Sequence, residues 1–142
     1  MIRKAKPSDL FEIVKMENKV FKQSLGQTFL LEELTNNPFA HYFVMELNQQ
    51  VIGYIGLRIV DQDAEMMNFI VDPMYQHQGY GLKLLTHTLI YLKEKGVKTW
   101  MLEVRKNNEI AKHLYQKFGF QKSHIRKKYY DNEDAIVYMK EV

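Results

Sequence analysis

Apolar and polar positions alternate along this chain with two distinct periods, and each change of period marks a new element. Leu10, Ile13, Val14, Val20 and Phe21 recur at helical spacing, with Glu17 alone interrupting the stripe. Pro7-Ser8-Asp9 supplies the start of that helix, and Ile2 to Ala5 reads as a short strand before it. Thr28 to Asn36 predicts a second helix, ended by Asn36-Asn37-Pro38 because the residue before a proline disfavours helical geometry. The period then shortens. His41 to Leu47 and Val51 to Val60 are β-rich runs joined by Asn48-Gln49-Gln50, and Ala64 to Val71 follows Asp61-Gln62-Asp63, predicting an antiparallel meander.

From Gly79 to Lys95 the helical period returns, with Leu84, Leu85, Leu89 and Leu92 on one face and Gly96 as the stop. Thr99 to Val104 reads as a strand. Asn108 to Lys117 predicts a helix with Ile110, Ala111, Leu114 and Tyr115 on one side, closed by Gly119, and strands near Gln121 to Arg126 and Asp134 to Lys140 complete the chain. The order is strand, two helices, three strands, helix, strand, helix, two strands. It predicts an α+β fold: a mixed, mostly antiparallel twisted sheet of about seven strands flanked by about four helices. No repeat, low-complexity tract or linker interrupts it, so residues 1–142 are expected to form a single domain.

Composition narrows the chemistry. The 142 residues contain no cysteine, which excludes a disulfide framework, a thiolate nucleophile and cysteine-based metal sites. No two of the five histidines, His41, His77, His87, His113 and His124, stand three or four residues apart as a helical metal site requires, so no metal is expected. No apolar run approaches the ~20 residues of a membrane span, and no apolar segment follows the basic start Met1-Ile2-Arg3-Lys4 as in a secretory signal. A soluble, cytoplasmic protein with no membrane partner is the expectation. Charge is uneven: residues 1–104 carry 11 basic and 12 acidic side chains, while residues 105–130 carry 8 basic and 1 acidic. A solvated basic face and a site for an anionic partner explain that segment equally well. Without a basic recognition helix or a zinc-finger pattern, nucleic acid is a weak candidate.

The stretch most informative about function is Asn68-Phe69-Ile70-Val71-Asp72-Pro73-Met74-Tyr75-Gln76-His77-Gln78-Gly79-Tyr80-Gly81, which runs from a strand into a helix. Two glycines at a helix start let backbone N–H groups approach an anion, and the helix dipole favours negative charge there. Neither common nucleotide motif fits, since there is no G-x-x-x-x-G-K-[ST] and Leu84 replaces the third glycine of the dinucleotide fingerprint. On spacing alone, an ordinary turn is the stronger reading.

In context, Gln76-x-x-Gly79-x-Gly81 resembles the [QR]-x-x-G-x-[GA] acetyl-CoA pyrophosphate loop of the GCN5-related N-acetyltransferase (GNAT) family. Val71-Asp72-Pro73, Asn107-Asn108 and Ala111-x-x-Leu114-Tyr115-x-x-x-Gly119-Phe120 occur in that family's order and spacing, so the likeness spans nearly the whole chain. Leu102-Glu103-Val104-Arg105, Ile125-Arg126-x-x-Tyr129-Tyr130 and Glu133-Asp134-Ala135 resemble the branch that acetylates the N-terminal alanine of a ribosomal protein. Members of that branch usually carry Pro-Trp after the first helix, where this chain has Lys22-Gln23-Ser24-Leu25-Gly26. That departure bears on the acceptor, not on acetyl transfer.

The resemblance implies acetyl-CoA as cosubstrate, bound by Gln76, His77, Gln78, Gly79, Tyr80, Gly81 and Leu82 at the pyrophosphate. Backbone groups of Phe69, Ile70 and Val71 would align its pantetheine arm like an added strand, with Asn108 bonded to that arm. The His77 ring itself reads as exposed and incidental. The resemblance also assigns Glu103 as general base and Tyr115 as general acid toward the departing thiolate. Spacing alone favours the plainer alternatives: a solvent-facing carboxylate at Glu103, a core tyrosine at Tyr115 and an N-cap at Asn108. Tyr129 and Tyr130 beside Arg126-Lys127-Lys128 form either an acceptor wall or ordinary aromatic packing. With no cysteine, and with Ser8, Ser24 and Ser123 outside any nucleophile-elbow sequence, direct attack by the acceptor is expected rather than an acyl-enzyme. The acceptor expected is a protein N-terminus; a small-molecule amine, or a non-catalytic acyl-CoA-binding module, stays open.

Overall fold

The computed structural model describes residues 1–20, 25–130 and 133–142, with the side chains of residues 128–130 left aside. Seven strands form one sheet, in the order β1 (Ile2–Lys4), β2 (Ala40–Leu47), β3 (Gln50–Val60), β4 (Asp63–Val71), β5 (Thr99–Arg105), β7 (Glu133–Glu141) and β6 (Gln121–Tyr130). Every neighbouring pair is antiparallel except β4 and β5. The four helices are α1 (Leu10–Val20), α2 (Gln27–Thr35), α3 (Tyr80–Glu94) and α4 (Glu109–Lys117). The expected α+β architecture is therefore present, with element ends moved by a residue or so at most places.

The meander turns are tighter than the spacing suggested. Gln50 pairs with Leu47, leaving Asn48 and Gln49 as a two-residue turn with φ of 52° and 66°. Positive φ at both central positions matches the right-handed twist of the flanking strands, although neither residue is glycine. β6 runs on to Tyr130, four residues beyond Arg126, with register shifts along its pairing with β7. Phe21 of the first predicted helix falls outside the described residues.

The helices divide between the two faces. Leu10, Ile13 and Met16 of α1 and Leu30 of α2 pack on Tyr42, Val44, Tyr54 and Ile70. On the other face Leu84, Leu85 and Leu92 of α3 and Tyr115 of α4 pack on Phe43, Ile55, Leu57, Met66, Trp100 and Leu102. Since side chains alternate along a strand, a residue's neighbours reveal its face. Among the described residues, no helix is long and apolar enough to cross a membrane, and no group of three or more His, Asp or Glu residues is arranged to hold a metal.

Candidate active site

Among the described residues, the sheet opens at its one parallel pair. Asp63, Ala64 and Glu65 of β4 pair with Thr99, Trp100 and Met101 of β5, and the pairing ends there. β4 continues to Val71 against β3, while β5 continues to Arg105 against β7, so the two strands diverge. The register of β4 also shifts at this point: Leu57 pairs with Met66 but Gly56 pairs with Asn68, a bulge at Met67 that bends β4 away. A fork with backbone on both inner edges results.

Glu103 stands two residues beyond the end of pairing on β5. Its neighbours Leu102 and Val104 belong to the core under α3 and α4, so Glu103 points to the α1–α2 face. Its side chain is 14% exposed and pairs with the Arg126 guanidinium of β6 at 2.7 Å. The polar-face placement expected from alternation thus holds, but the carboxylate is sheltered and ion-paired rather than openly solvated.

Tyr115 lies on the opposite face. It is 8% exposed, its ring packs against Phe69 and Phe120, and its hydroxyl meets the Met66 sulfur at 3.7 Å, where β4 leaves β5. Glu103 and Tyr115 are not in contact. They approach the fork from its two faces, an arrangement that suits one group acting on an incoming molecule and the other on a departing one.

Below the fork, β4 leads into the loop singled out by its glycines. Asp72 caps the short turn Pro73–Tyr75 by accepting from the Met74 N–H at 3.0 Å, and its other oxygen pairs with Lys19 of α1 at 3.2 Å. The Gln76 side chain donates to the Val71 carbonyl at 2.9 Å, and that of Gln78 to the Met74 carbonyl at 3.3 Å. His77 and Gly79 both have left-handed backbone, φ 63° and 86°, which turns the chain sharply into α3. Left-handed residues ahead of a helix turn successive N–H groups toward one side, building an anion concavity.

The two glycines differ in the space around them. A Cβ at Gly79 would meet nothing within 4 Å, whereas one at Gly81 would come within 3.4 Å of the Phe69 ring. Gly79 is thus the only site of the two where a side chain would project into open approach, and Gly81 keeps α3 close to β4. Tyr80 and Leu82 are the first and third residues of α3. Asn108 caps α4 by accepting from the Ala111 N–H at 3.1 Å, which realises the plainer of its two expected roles without excluding the other. The site thus offers two features that could hold a phosphate-bearing thioester: left-handed backbone at the α3 N-terminus and, at Phe69, Ile70 and Val71, a strand edge that β5 leaves uncovered, with its Phe69 N–H and Val71 carbonyl already held by Asn68 and Gln76.

The family model described as "Acetyltransferase (GNAT) family" matches residues 8–120. The chain belongs to that family. Among curated relatives, a [ribosomal protein bS18]-alanine N-acetyltransferase of Haemophilus influenzae is 42% identical over 111 residues, covering 73% of this chain and 75% of the relative. The Escherichia coli protein of that name is 36% identical over 123 residues, covering 84% and 76%. The crystal structure of the ribosomal-protein-S18-alanine N-acetyltransferase from E. coli superposes with a TM-score of 0.94 at 29% identity, covering 100% of this chain and 93% of the other. As a GNAT member the chain is an acetyl-CoA-dependent N-acetyltransferase, and its seven-stranded forked sheet is the GNAT fold.

Other site features had weaker signals in the sequence. Arg126 stands out in the sequence only through the basic run and the Ile125-Arg126-x-x-Tyr129-Tyr130 likeness, and its ion pair with Glu103 reaches across β7, which lies between β5 and β6. Glu17, the interruption in the first stripe, is fully buried and bonded to Asn68 at the fork. Lys22, Gln23 and Ser24, where the family branch has Pro-Trp, lie outside the described residues, as do the side chains of Tyr129 and Tyr130.

Proposed function

We propose that this GNAT enzyme acetylates the N-terminal α-amine of a protein, with an alanine-starting ribosomal protein as its acceptor class, by direct attack in a ternary complex. The observation that carries the reading is the fork itself: a sheltered carboxylate on one face, a buried phenol on the other and an anion cradle beneath. The names of relatives at 36% and 42% identity support the acceptor class.

In this reading the backbone of Phe69, Ile70 and Val71 and the loop from Gln76 to Leu82, together with Asn108, hold acetyl-CoA, which supplies the acyl group and the thiolate that leaves. Glu103 takes a proton from the acceptor's ammonium, directly or through one water. An α-amine, with a pKa of ~7.7–8.0, surrenders that proton far more readily than a lysine at ~10.4, so a single carboxylate is matched to N-termini. Arg126 yields its place on Glu103 to the incoming cation. Tyr115 delivers a proton at the sulfur from the far side of the sheet, so base and acid do not neutralise each other. The residues 1–142 act as one catalytic domain.

Turnover of acetyl-CoA against peptides with free N-terminal alanine, N-terminally blocked lysine peptides and polyamines tests the proposal. The alanine peptides should be preferred by about tenfold or more in kcat/KM. Equal or better use of a polyamine would overturn the acceptor assignment.

A further inference from the structure

Glu17 is a fully buried charge to which the reaction above gives no role. It occupies an inward position of α1, between apolar neighbours that face the same way, and is 0% exposed. One carboxylate oxygen accepts from the Tyr54 hydroxyl at 2.6 Å and from the Asn68 side-chain amide. The other accepts from the Leu25 N–H at 3.2 Å, and the Gly26 N–H bonds to the carboxylate as well. The Asn68 amide also donates to the Tyr54 hydroxyl at 2.8 Å. Four segments, α1, β3, β4 and the residues ahead of α2, therefore converge on one side chain. Burial pushes this carboxyl up from its ordinary range, and the donors from Tyr54, Leu25 and Asn68 pull against that push.

An apolar side chain here would continue the Ile13 and Met16 stripe and avoid the desolvation of a buried charge. What the carboxylate adds is direction. By holding the amide nitrogen of Asn68, it leaves the amide oxygen to accept from the Phe69 N–H at 3.1 Å, within the strand edge that lines the fork. By holding Leu25 and Gly26, it fixes the start of α2 on the face that Glu103 shares.

We propose that Glu17 is a positioning residue for the acceptor: through Asn68 and the backbone ahead of α2 it sets the wall against which the acceptor amine is placed beside Glu103. The inference rests on reading the α1–α2 face as the acceptor side. Steady-state kinetics of the full chain with Glu17→Gln and Tyr54→Phe test it. Both variants should raise the acceptor KM about tenfold or more, and the acetyl-CoA KM, which Asn68 reaches only through the Phe69 N–H, by no more than about threefold. A purely structural carboxylate would instead weaken both substrates together, or neither, in step with the melting temperature, and that result would overturn the proposal. Tyr54→Phe keeps the ring and the carboxylate, so it decides the matter if Glu17→Gln fails to fold. Should the wild type prefer a small amine over every peptide, the proposed acceptor class falls, yet the same KM split measured with that amine still decides the role of Glu17. Amide exchange gives a readout that needs no turnover. In Glu17→Gln the Leu25 and Gly26 amides should exchange about tenfold faster or more, while the β2–β3 amides keep their protection. Unchanged exchange there would overturn the proposal too.

Discussion

Replacing Tyr115 by phenylalanine removes a single oxygen atom, and the contact of that atom with Met66 bears on what it is worth to folding. The hydroxyl meets the Met66 sulfur at 3.7 Å, a weak acceptor at long range. The ring keeps its contacts with Phe69 and Phe120, whose centroids lie 6.3 and 5.8 Å away. Loss of one such bond costs at most about 1 kcal/mol. For a chain of this size that corresponds to a fall in melting temperature of roughly 4 °C or less. Loss of a general acid, by contrast, slows turnover ~10²- to 10⁴-fold, or about 3 to 5 kcal/mol of barrier. The two magnitudes differ enough to separate the explanations, because a domain stable by roughly 5 kcal/mol or more stays folded after losing about 1. The assay combines turnover at saturating substrates, acetyl-CoA affinity by calorimetry and a thermal scan. The expected result is a large loss of turnover with affinity and melting temperature nearly intact. Near-normal turnover in the stable variant would remove Tyr115 from the mechanism and leave proton delivery to water.

Glu103→Gln should depress turnover most at low pH, where the acceptor amine is protonated, with acetyl-CoA affinity unchanged; wild-type rates across the pH range would return Glu103 to a structural partner of Arg126. Gly79→Val should weaken acetyl-CoA binding by about tenfold or more in calorimetry without unfolding the chain. Its side chain enters open space, and left-handed φ adds only about 1–2 kcal/mol of local strain. An unchanged affinity would place the pyrophosphate elsewhere. At the far end of the sheet Arg3 holds Asp9 with two bonds of 2.9 Å, and this pairing, ahead of the Lys6 N–H, keeps the Asp9 carboxyl below its ordinary range. Folding therefore favours the ionised form, so the stabilisation is complete above the unfolded value of ~3.9 and fades as pH falls through the lower folded value. Arg3→Ala should cost about 1–3 kcal/mol at pH 7 and clearly less in strong acid, measured by urea unfolding; equal losses at both would show that charge pairing is not the cause.

Much of this geometry is readable from spacing because it is local. Gly79 and Gly96 bracket α3, one residue before its start and two after its end, because each takes a left-handed φ that other residues resist. The parity of Glu103 against Leu102 and Val104 correctly predicts a polar face, since alternation is a property of the strand alone. What spacing leaves open is non-local. Nothing in the order of elements dictates that β7 inserts between β5 and β6, nor that the Arg126–Glu103 pair reaches across it. Glu17 shows the same limit from the other side: a lone charge in an apolar stripe signals a buried partner set, but Tyr54 and Asn68 lie 37 and 51 residues away. Only strand register brings them together.

In the proposed mechanism the fork is what lets Glu103 and Tyr115, on opposite faces of the sheet, serve one reaction. A continuous sheet would seal its two faces from each other, with every inner backbone group satisfied by a neighbouring strand. Here the parallel pairing stops at Glu65 and Met101, and the bulge at Met67 turns β4 outward. The backbone of Phe69 to Val71 thus presents on its β5 side donors and acceptors that an extended, amide-bearing arm can pair with as a strand would. In the proposed reading, a molecule held in that position is reached from the α1–α2 face by Glu103 and Asn68 and from the α3–α4 face by Tyr115. Its anionic portion then falls at the N-terminus of α3, the place where left-handed His77 and Gly79 turn the backbone. In that reading the open strand edge and the access of Glu103 and Tyr115 to one bound molecule both depend on one interruption in the sheet, and restoring β4–β5 pairing would close them together.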